Sequence, residues 1–160
     1  VEVARVAYPV QHLRMARSTA SLYNYPGVEE ENRVIGTAIR TVSEERLWRG
    51  DWMLPCPGRF STLFGEQRIR NGKPVGRHRG LDIAAKTGVP VQAAARGRVV
   101  LAGSWPKHGT TVVLDHGLGI TSFYIHMSAV HAQEGDLLER GEVLGEVGST
   151  GVSTGPHLHW

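Results

Sequence analysis

Three short segments of this chain carry histidines at spacings that could build a metal site. In the first, His78 and Asp82 lie four residues apart around Gly80, and an imidazole and a carboxylate are both ligands that Zn²⁺ accepts. In a straight strand these positions would be about 13 Å apart, so we predict a bend between them, with Gly80 adopting the unusual backbone angles. Taken alone, the pair is better explained by a surface histidine beside a turn aspartate.

The second segment ends in His157-Leu158-His159. On an extended backbone its two histidines point to the same side, about 7 Å apart at Cα. One imidazole could bind a metal while the other addresses a water or a substrate on that metal. Pro156 favours an extended entry to this strand.

The third segment ends a predicted strand at His126, which we place on the same face as Tyr124. Alone, His126 is most simply a half-buried core histidine. Three separate segments that deliver histidine at a strand end or beside glycine make coincidence the poorer explanation.

The composition limits how such a site can be built. The chain has 160 residues, of which 41% are hydrophobic and 21% charged, as in an ordinary globular protein. Twenty glycines and eight prolines favour the many turns of an all-β fold. Cys56 is the only cysteine, which excludes an intrachain disulfide and a cysteine-based zinc cluster. Any metal site must therefore use histidine and carboxylate.

The elements that position these residues divide at about residue 56. Residues 28–42 have apolar positions near helical spacing and acidic residues in the first turn, which predicts an amphipathic helix. Residues 1–13 alternate loosely and predict one or two strands, with Pro9 indicating a sheet edge. Residues 48–57 read as a linker. We expect residues 1–55 to be a small mixed α/β extension.

From residue 58 onward, short β-prone runs are separated by glycines, and no helix longer than a turn is needed. The spacing predicts an antiparallel sheet or sandwich. The predicted strands are Val89 to Ala94, Gly97 to Ala102, Thr110 to Asp115, Ile120 to His126 and Glu142 to Val147. Residues 134–145 have the spacing G-D-x-x-x-x-G-x-x-x-G, which resembles that of lipoyl and biotinyl carrier domains. Those domains hold their cofactor on a lysine, and this segment contains none, so the similarity concerns only the fold. A weaker similarity of residues 87–100 to the same pattern suggests a duplicated hairpin.

Charge is unevenly distributed along the chain. Residues 59–98 contain nine basic and two acidic side chains, a net charge of +7, whereas the whole chain carries +3. This suits a polyanionic partner such as a cell-wall polymer, with nucleic acid as the competing interpretation and a solvated basic face as the simplest one. The basic stretch has few aromatic residues for base stacking and matches no motif of a nucleic-acid-binding module, so we expect no nucleic-acid partner.

In chain order the three segments read His-x-x-x-Asp, Tyr-x-His and His-x-His. Together they resemble the signature of the LytM or lysostaphin family of zinc metallopeptidases that cut peptidoglycan. The flanking sequences also resemble those of this family, including Gly80-Leu81-Asp82-Ile83-Ala84, Asp115-His116-Gly117 and Gly148-Ser149-Thr150-Gly151. The resemblance covers roughly residues 56–160.

This resemblance implies a fold, a site and a reaction. The fold is an all-β domain of the duplicated hybrid motif type over residues 56–160, lacking its closing strand after Trp160. The ligands of one Zn²⁺ per chain are His78, Asp82 and His159, and the catalytic histidines are His126 and His157. The substrate is the peptide cross-link of peptidoglycan, outside the cytoplasm. The chain begins at Val1, which leaves room for a leader or a membrane anchor ahead of it.

Two other functions stay open at this point. A non-catalytic LytM-like protein could bind cell wall or activate another hydrolase, although such proteins typically lack one or more of the five site residues. A sugar-permease phosphocarrier also juxtaposes two histidines on a β-fold, but a carboxylate beside a phosphohistidine would repel the phosphate. Among the remaining histidines, we expect His12, His108 and His131 to be exposed and His116 to be structural.

Overall fold

The computed structural model describes residues 7–160, so the part of the predicted N-terminal strands that falls on residues 1–6 lies outside it. In the described chain the helices are α1 (Arg17–Ser21) and α2 (Val28–Ile39). The strands are β1 (Val10–Leu13), β2 (Arg59–Thr62), β3 (Gln67–Arg70), β4 (Lys73–Arg77), β5 (Asp82–Ala84), β6 (Pro90–Gln92), β7 (Gly97–Trp105), β8 (Gly109–Gly117), β9 (Ile120–Met127), β10 (Ala129–Val130), β11 (Leu137–Leu138), β12 (Val143–Glu146) and β13 (His157–His159).

The strands form three sheets, which confirms the all-β class. The largest has seven strands in the order β11-β7-β8-β9-β13-β5-β2, all paired antiparallel. A second has the order β10-β12-β6. The third has the order β1-β3-β4, where β1 pairs parallel with β3 and forms the edge that Pro9 indicated. All five strands predicted beyond residue 88 are present, with shifted ends.

Two buried clusters lie on opposite faces of the large sheet. Val112 and Leu114 of β8 point into the main core, which also contains Leu144 of β12. Val113, between them, points the other way and packs with Ile35 of α2. Each fully buried aliphatic side chain contributes roughly 1.5–3 kcal/mol relative to an exposed one. The helix of the N-terminal extension therefore covers one face of the sheet that carries the site.

Helix α2 is shorter than the predicted 28–42 helix. It begins after Gly27, which has a φ of 106°, and ends at Ile39. Val42, which we assigned to its apolar stripe, is 73% exposed, because the chain has already left the helix there.

The predicted linker over residues 48–57 contains no helix or strand, but it is docked on the sheets. The Met53 amide donates to the Ala94 carbonyl at 2.9 Å, and the Pro55 carbonyl accepts from Gln92 at 2.7 Å. Cys56 is buried. The segment is thus a fixed strap rather than a free connection. No helix within residues 7–160 is long and apolar enough to cross a membrane.

Candidate metal centre

The first segment bends as the spacing required. His78 lies in the loop before β5, and Asp82 is the first residue of that strand. His78 Nε2 comes within 3.0 Å of Asp82 Oδ1, and both side chains are buried. The 13 Å separation expected of a straight strand is therefore removed by the loop.

Gly80 serves this bend differently from our prediction. Its φ is not among the positive φ values of the chain, so it does not supply left-handed backbone angles. A Cβ at this position would instead lie 2.6 Å from His159 Nε2 and 2.7 Å from the Trp160 carbonyl oxygen. Glycine is needed here because the His159 ring packs directly against the backbone.

Strand β13 presents its two histidines to one side, as predicted. It pairs with β5, and Leu158 points into the main core, so His157 and His159 point to the opposite face. His159 Nδ1 lies 2.7 Å from Asp82 Oδ1, whereas His157 Nε2 lies 3.9 Å from the same oxygen. The two imidazoles therefore have different positions relative to the carboxylate.

Three potential ligand atoms converge at this point. His78 Nε2 is 2.9 Å from His159 Nδ1, and each lies within 3.0 Å of Asp82 Oδ1. Ligands of a tetrahedral Zn²⁺ with bonds of 2.0–2.1 Å are about 3.3 Å apart, so a small outward shift accommodates the ion. His78 Nδ1 lies 3.0 Å from the Leu63 carbonyl, which can only accept, so Nε2 carries the lone pair toward the centre. The donor set, two imidazoles and one carboxylate, fits zinc.

Electrostatics keep the carboxylate ionised. Burial alone would raise the pKa of Asp82, but hydrogen bonds with His159 and His78 outweigh it and hold that pKa well below its usual range. Arg68 of β3 adds a contact from Nη2 to Asp82 Oδ2 at 2.5 Å. The guanidinium thus occupies one carboxylate oxygen and leaves the other directed at the two histidines.

His126 reaches the site by a route that we did not predict. It has a φ of 66°, in the left-handed region, and the pairing of β8 with β9 is irregular at this point. Tyr124 and Met127 both belong to the main core, so strict alternation is broken between them. The placement of His126 on the face of Tyr124 was therefore wrong, since its ring lies 4.9 Å from that of His157, centroid to centroid, on the opposite face.

Both histidines outside the triad are held by their Nδ1 atoms. His126 Nδ1 donates to the Thr150 carbonyl at 2.8 Å, and His157 Nδ1 donates to the Gly155 carbonyl at 2.8 Å. Their Nε2 atoms are consequently unprotonated when the rings are neutral. Burial, together with the nearby His157 and His159, lowers the pKa of His126 to about 3, so its ring is neutral at neutral pH.

These side chains line one groove. One wall is the loop over residues 152–156, and the other includes Gln11, Met15 and Tyr23 of the N-terminal extension. Arg68 also lines the groove, and its Nε donates to Gln11 Oε1 at 2.9 Å. The extension therefore forms part of the site's surroundings.

The structure brings all five predicted site residues together, and it adds residues that sequence reasoning missed. Arg68 was counted only as one basic residue among nine, and Thr150 only as part of a flanking motif. Among the other histidines, His12 and His131 are exposed as predicted, and His116 is buried. His108 is not exposed as predicted, because its Nδ1 lies 2.6 Å from a buried Glu31 carboxylate oxygen.

Comparisons with known proteins find similarity to one family of peptidases. Residues 67–160 match the profile of Peptidase family M23. DD-carboxypeptidase/endopeptidase Mpg of Neisseria meningitidis is 46% identical over 83 residues, covering 52% of this chain and 19% of that protein. Lysostaphin of Staphylococcus simulans is 32% identical over 127 residues, covering 78% of this chain and 24% of lysostaphin. The chain thus spans about a quarter or less of these relatives.

Solved structures show the same fold. A candidate peptidase M23 from Pseudomonas aeruginosa superposes with a TM-score of 0.74 at 34% identity, covering 86% of this chain and 56% of that one. A zinc-containing peptidase from Vibrio cholerae superposes with a TM-score of 0.65 at 28% identity, covering 70% of this chain and 36% of that one.

Proposed function

Since this chain belongs to peptidase family M23, we propose that it is a zinc-dependent endopeptidase that hydrolyses peptide cross-links of bacterial peptidoglycan. The observation that carries the proposal is the convergence of His78, Asp82 and His159 beside two further imidazoles in one groove. The similarity to DD-carboxypeptidase/endopeptidase Mpg and to the peptidoglycan DD-endopeptidase ShyA of Vibrio cholerae, which is 37% identical over 103 residues, supports the substrate class. Because peptidoglycan lies outside the cytoplasmic membrane, we place the protein there.

The ligand assignment follows from distance. We assign His78 Nε2, Asp82 Oδ1 and His159 Nδ1 to the metal because these atoms lie within 3.0 Å of one another. Three protein ligands leave a fourth position for water, as in catalytic zinc sites. The chemistry that zinc would supply there is polarisation of a carbonyl and a bound water whose pKa would be lowered to about 7.

The two remaining imidazoles handle protons. His126 and His157 have their Nδ1 atoms committed to backbone carbonyls, so the neutral form of each ring presents an unprotonated Nε2 to the groove. In these positions an Nε2 would take a proton from the attacking water, and the imidazolium so formed would then stabilise the developing oxyanion or pass that proton to the leaving amine.

We also propose that residues 1–55 act as an extension that limits access to the groove of the domain over residues 56–160. Gln11, Met15 and Tyr23 line the groove, and α2 packs on the sheet behind it. Substrate entering the groove would contact both parts of the chain.

Digestion of purified cell walls tests the proposed function. The protein, with and without prior chelation, is incubated with walls that have glycine bridges and with walls that are cross-linked directly, and the products are analysed by mass. Cross-link cleavage that chelation abolishes and zinc restores is the expected result. Zinc-loaded protein that binds walls without releasing any cleaved peptide would instead favour the non-catalytic alternative.

A further inference from the structure

Helix α2 contains a buried carboxylate that the proposed reaction does not use. Glu31 lies in the first turn of α2 but is only 2% exposed. Its Oε1 accepts from the His108 amide at 2.8 Å and contacts His108 Nδ1 at 2.6 Å. Its Oε2 accepts from the Lys107 amide at 3.1 Å and from the Tyr25 hydroxyl at 2.6 Å. A carboxylate buried this deeply requires hydrogen-bond partners. Three of its four partner atoms, the two amides and His108 Nδ1, belong to one turn.

That turn, residues 107–109, connects β7 to β8 and supports His126. The His108 carbonyl accepts from the His126 amide at 3.2 Å, and the Lys107 carbonyl accepts from the Val152 amide at 2.8 Å. Next to the turn, the Thr110 amide donates to Thr150 Oγ1 at 2.9 Å. The Thr150 carbonyl in turn accepts from His126 Nδ1. The turn is therefore linked to the His126 backbone directly and to the His126 ring through Thr150.

His126 needs this support because its backbone is strained. A φ of 66° is unfavourable for a residue with a Cβ, and such conformations persist only where surrounding contacts enforce them. Without the bond from His108, the segment could relax toward regular strand geometry, which would turn the ring away from His157. The position of the ring therefore depends on the turn.

We infer that Glu31 is a positioning residue for His126, so that the N-terminal helix is part of the catalytic apparatus. The inference rests on the proposed catalytic role of His126. Glu31 fixes the turn at residues 107–109, the turn fixes His126, and His126 presents Nε2 to the groove. Hydrogen bonds that outweigh the effect of burial keep the pKa of Glu31 lowered, in agreement with a carboxylate that stays charged in this position.

The test compares Glu31→Gln with Glu30→Gln. Both changes remove one carboxylate from the first turn of α2, but Glu30 is exposed and, within residues 7–160, its side chain pairs only with Arg33 on its own helix. In Glu31→Gln, the side-chain NH2 group replaces one carboxylate oxygen and faces N–H donors of Lys107 or His108, so at least one hydrogen bond to the turn is lost. Turnover and KM are measured on a soluble cross-linked muropeptide, zinc by metal analysis, and exchange of the His126 amide by NMR.

For Glu31→Gln we expect kcat to fall about 10-fold or more, with KM within about twofold and zinc content unchanged. The His126 amide should exchange about 10-fold faster than in the parent, while the amide of Val113 in the sheet should change little. Glu30→Gln should match the parent in every measurement. Should Glu31→Gln fail to fold, Glu31→Asp gives the same comparison, since it keeps the charge but withdraws the carboxylate by one methylene.

Parent-like kcat and parent-like exchange at His126 in Glu31→Gln would overturn the inference. Equal loss of protection at His126 and Val113 would also overturn it, because it would indicate a purely global role in stability. A parent protein that neither binds zinc nor cleaves muropeptide would refute the proposed function instead, and the exchange measurement would still decide whether Glu31 positions His126.

Discussion

The sharpest consequence of the site geometry is that His157→Ala and His159→Ala, two residues apart, should differ in zinc affinity. His159 Nδ1 is 2.7 Å from Asp82 Oδ1, inside the triad, whereas His157 Nε2 is 3.9 Å from that oxygen. A complete four-ligand site binds zinc with about 10–16 kcal/mol, or about 2.5–4 kcal/mol per ligand on average. His159→Ala should therefore raise the Kd for zinc about 10²- to 10³-fold. His157→Ala should change it less than about threefold, because no ligand is lost.

The assay is a competition titration of each metal-free variant against a chromophoric chelator, with cross-link cleavage measured in parallel at saturating zinc. His157→Ala should bind zinc like the parent and lose about 10²-fold or more in turnover. If His157→Ala loses zinc while His159→Ala retains it, the division of the pair into catalyst and ligand is wrong. Equal loss in both variants would show that the ion sits between the two rings.

Four further variants and one control test the metal centre and its surroundings. Asp82→Ala should lose zinc and melt at a lower temperature, whereas His126→Ala should keep about one zinc per chain and lose about 10²-fold in turnover, as metal analysis and cleavage assays would show. Arg68→Met should weaken zinc binding about 10- to 100-fold in the same titration, because Asp82 Oδ2 loses its partner, while Lys73→Met on the exposed strand β4 should not. Met15→Gly should lower KM for cross-linked muropeptide without changing zinc content if the extension restricts the groove; an unchanged KM would contradict that role.

The local patterns predicted parts of the backbone geometry at the candidate site because each pattern depends on short-range geometry. Alternation on an extended strand placed His157 and His159 on one side, and the spacing of His78 and Asp82 required a bend that the structure contains. The five strands beyond residue 88 were predictable because their β-prone runs are separated by glycines. None of these deductions needed knowledge of long-range contacts.

The contacts that were missed all join residues distant in sequence. Arg68 meets Gln11 across 57 residues, and Glu31 meets His108 across 77, so neither pairing leaves a local signal. The left-handed backbone at His126 was also unforeseen, since alternation predicts a regular strand there. Gly80 could be recognised as necessary, but the close packing of the His159 ring that requires it becomes visible only in the fold.

Zinc-dependent cleavage is tested most directly by a titration of metal-free protein with zinc, with the initial rate of cross-link cleavage measured at each addition. We predict no cleavage without metal, a linear rise in rate with added zinc, and a plateau at one equivalent per chain. Cleavage by the metal-free protein, or full zinc occupancy with no cleavage of any wall type, would contradict the proposed function.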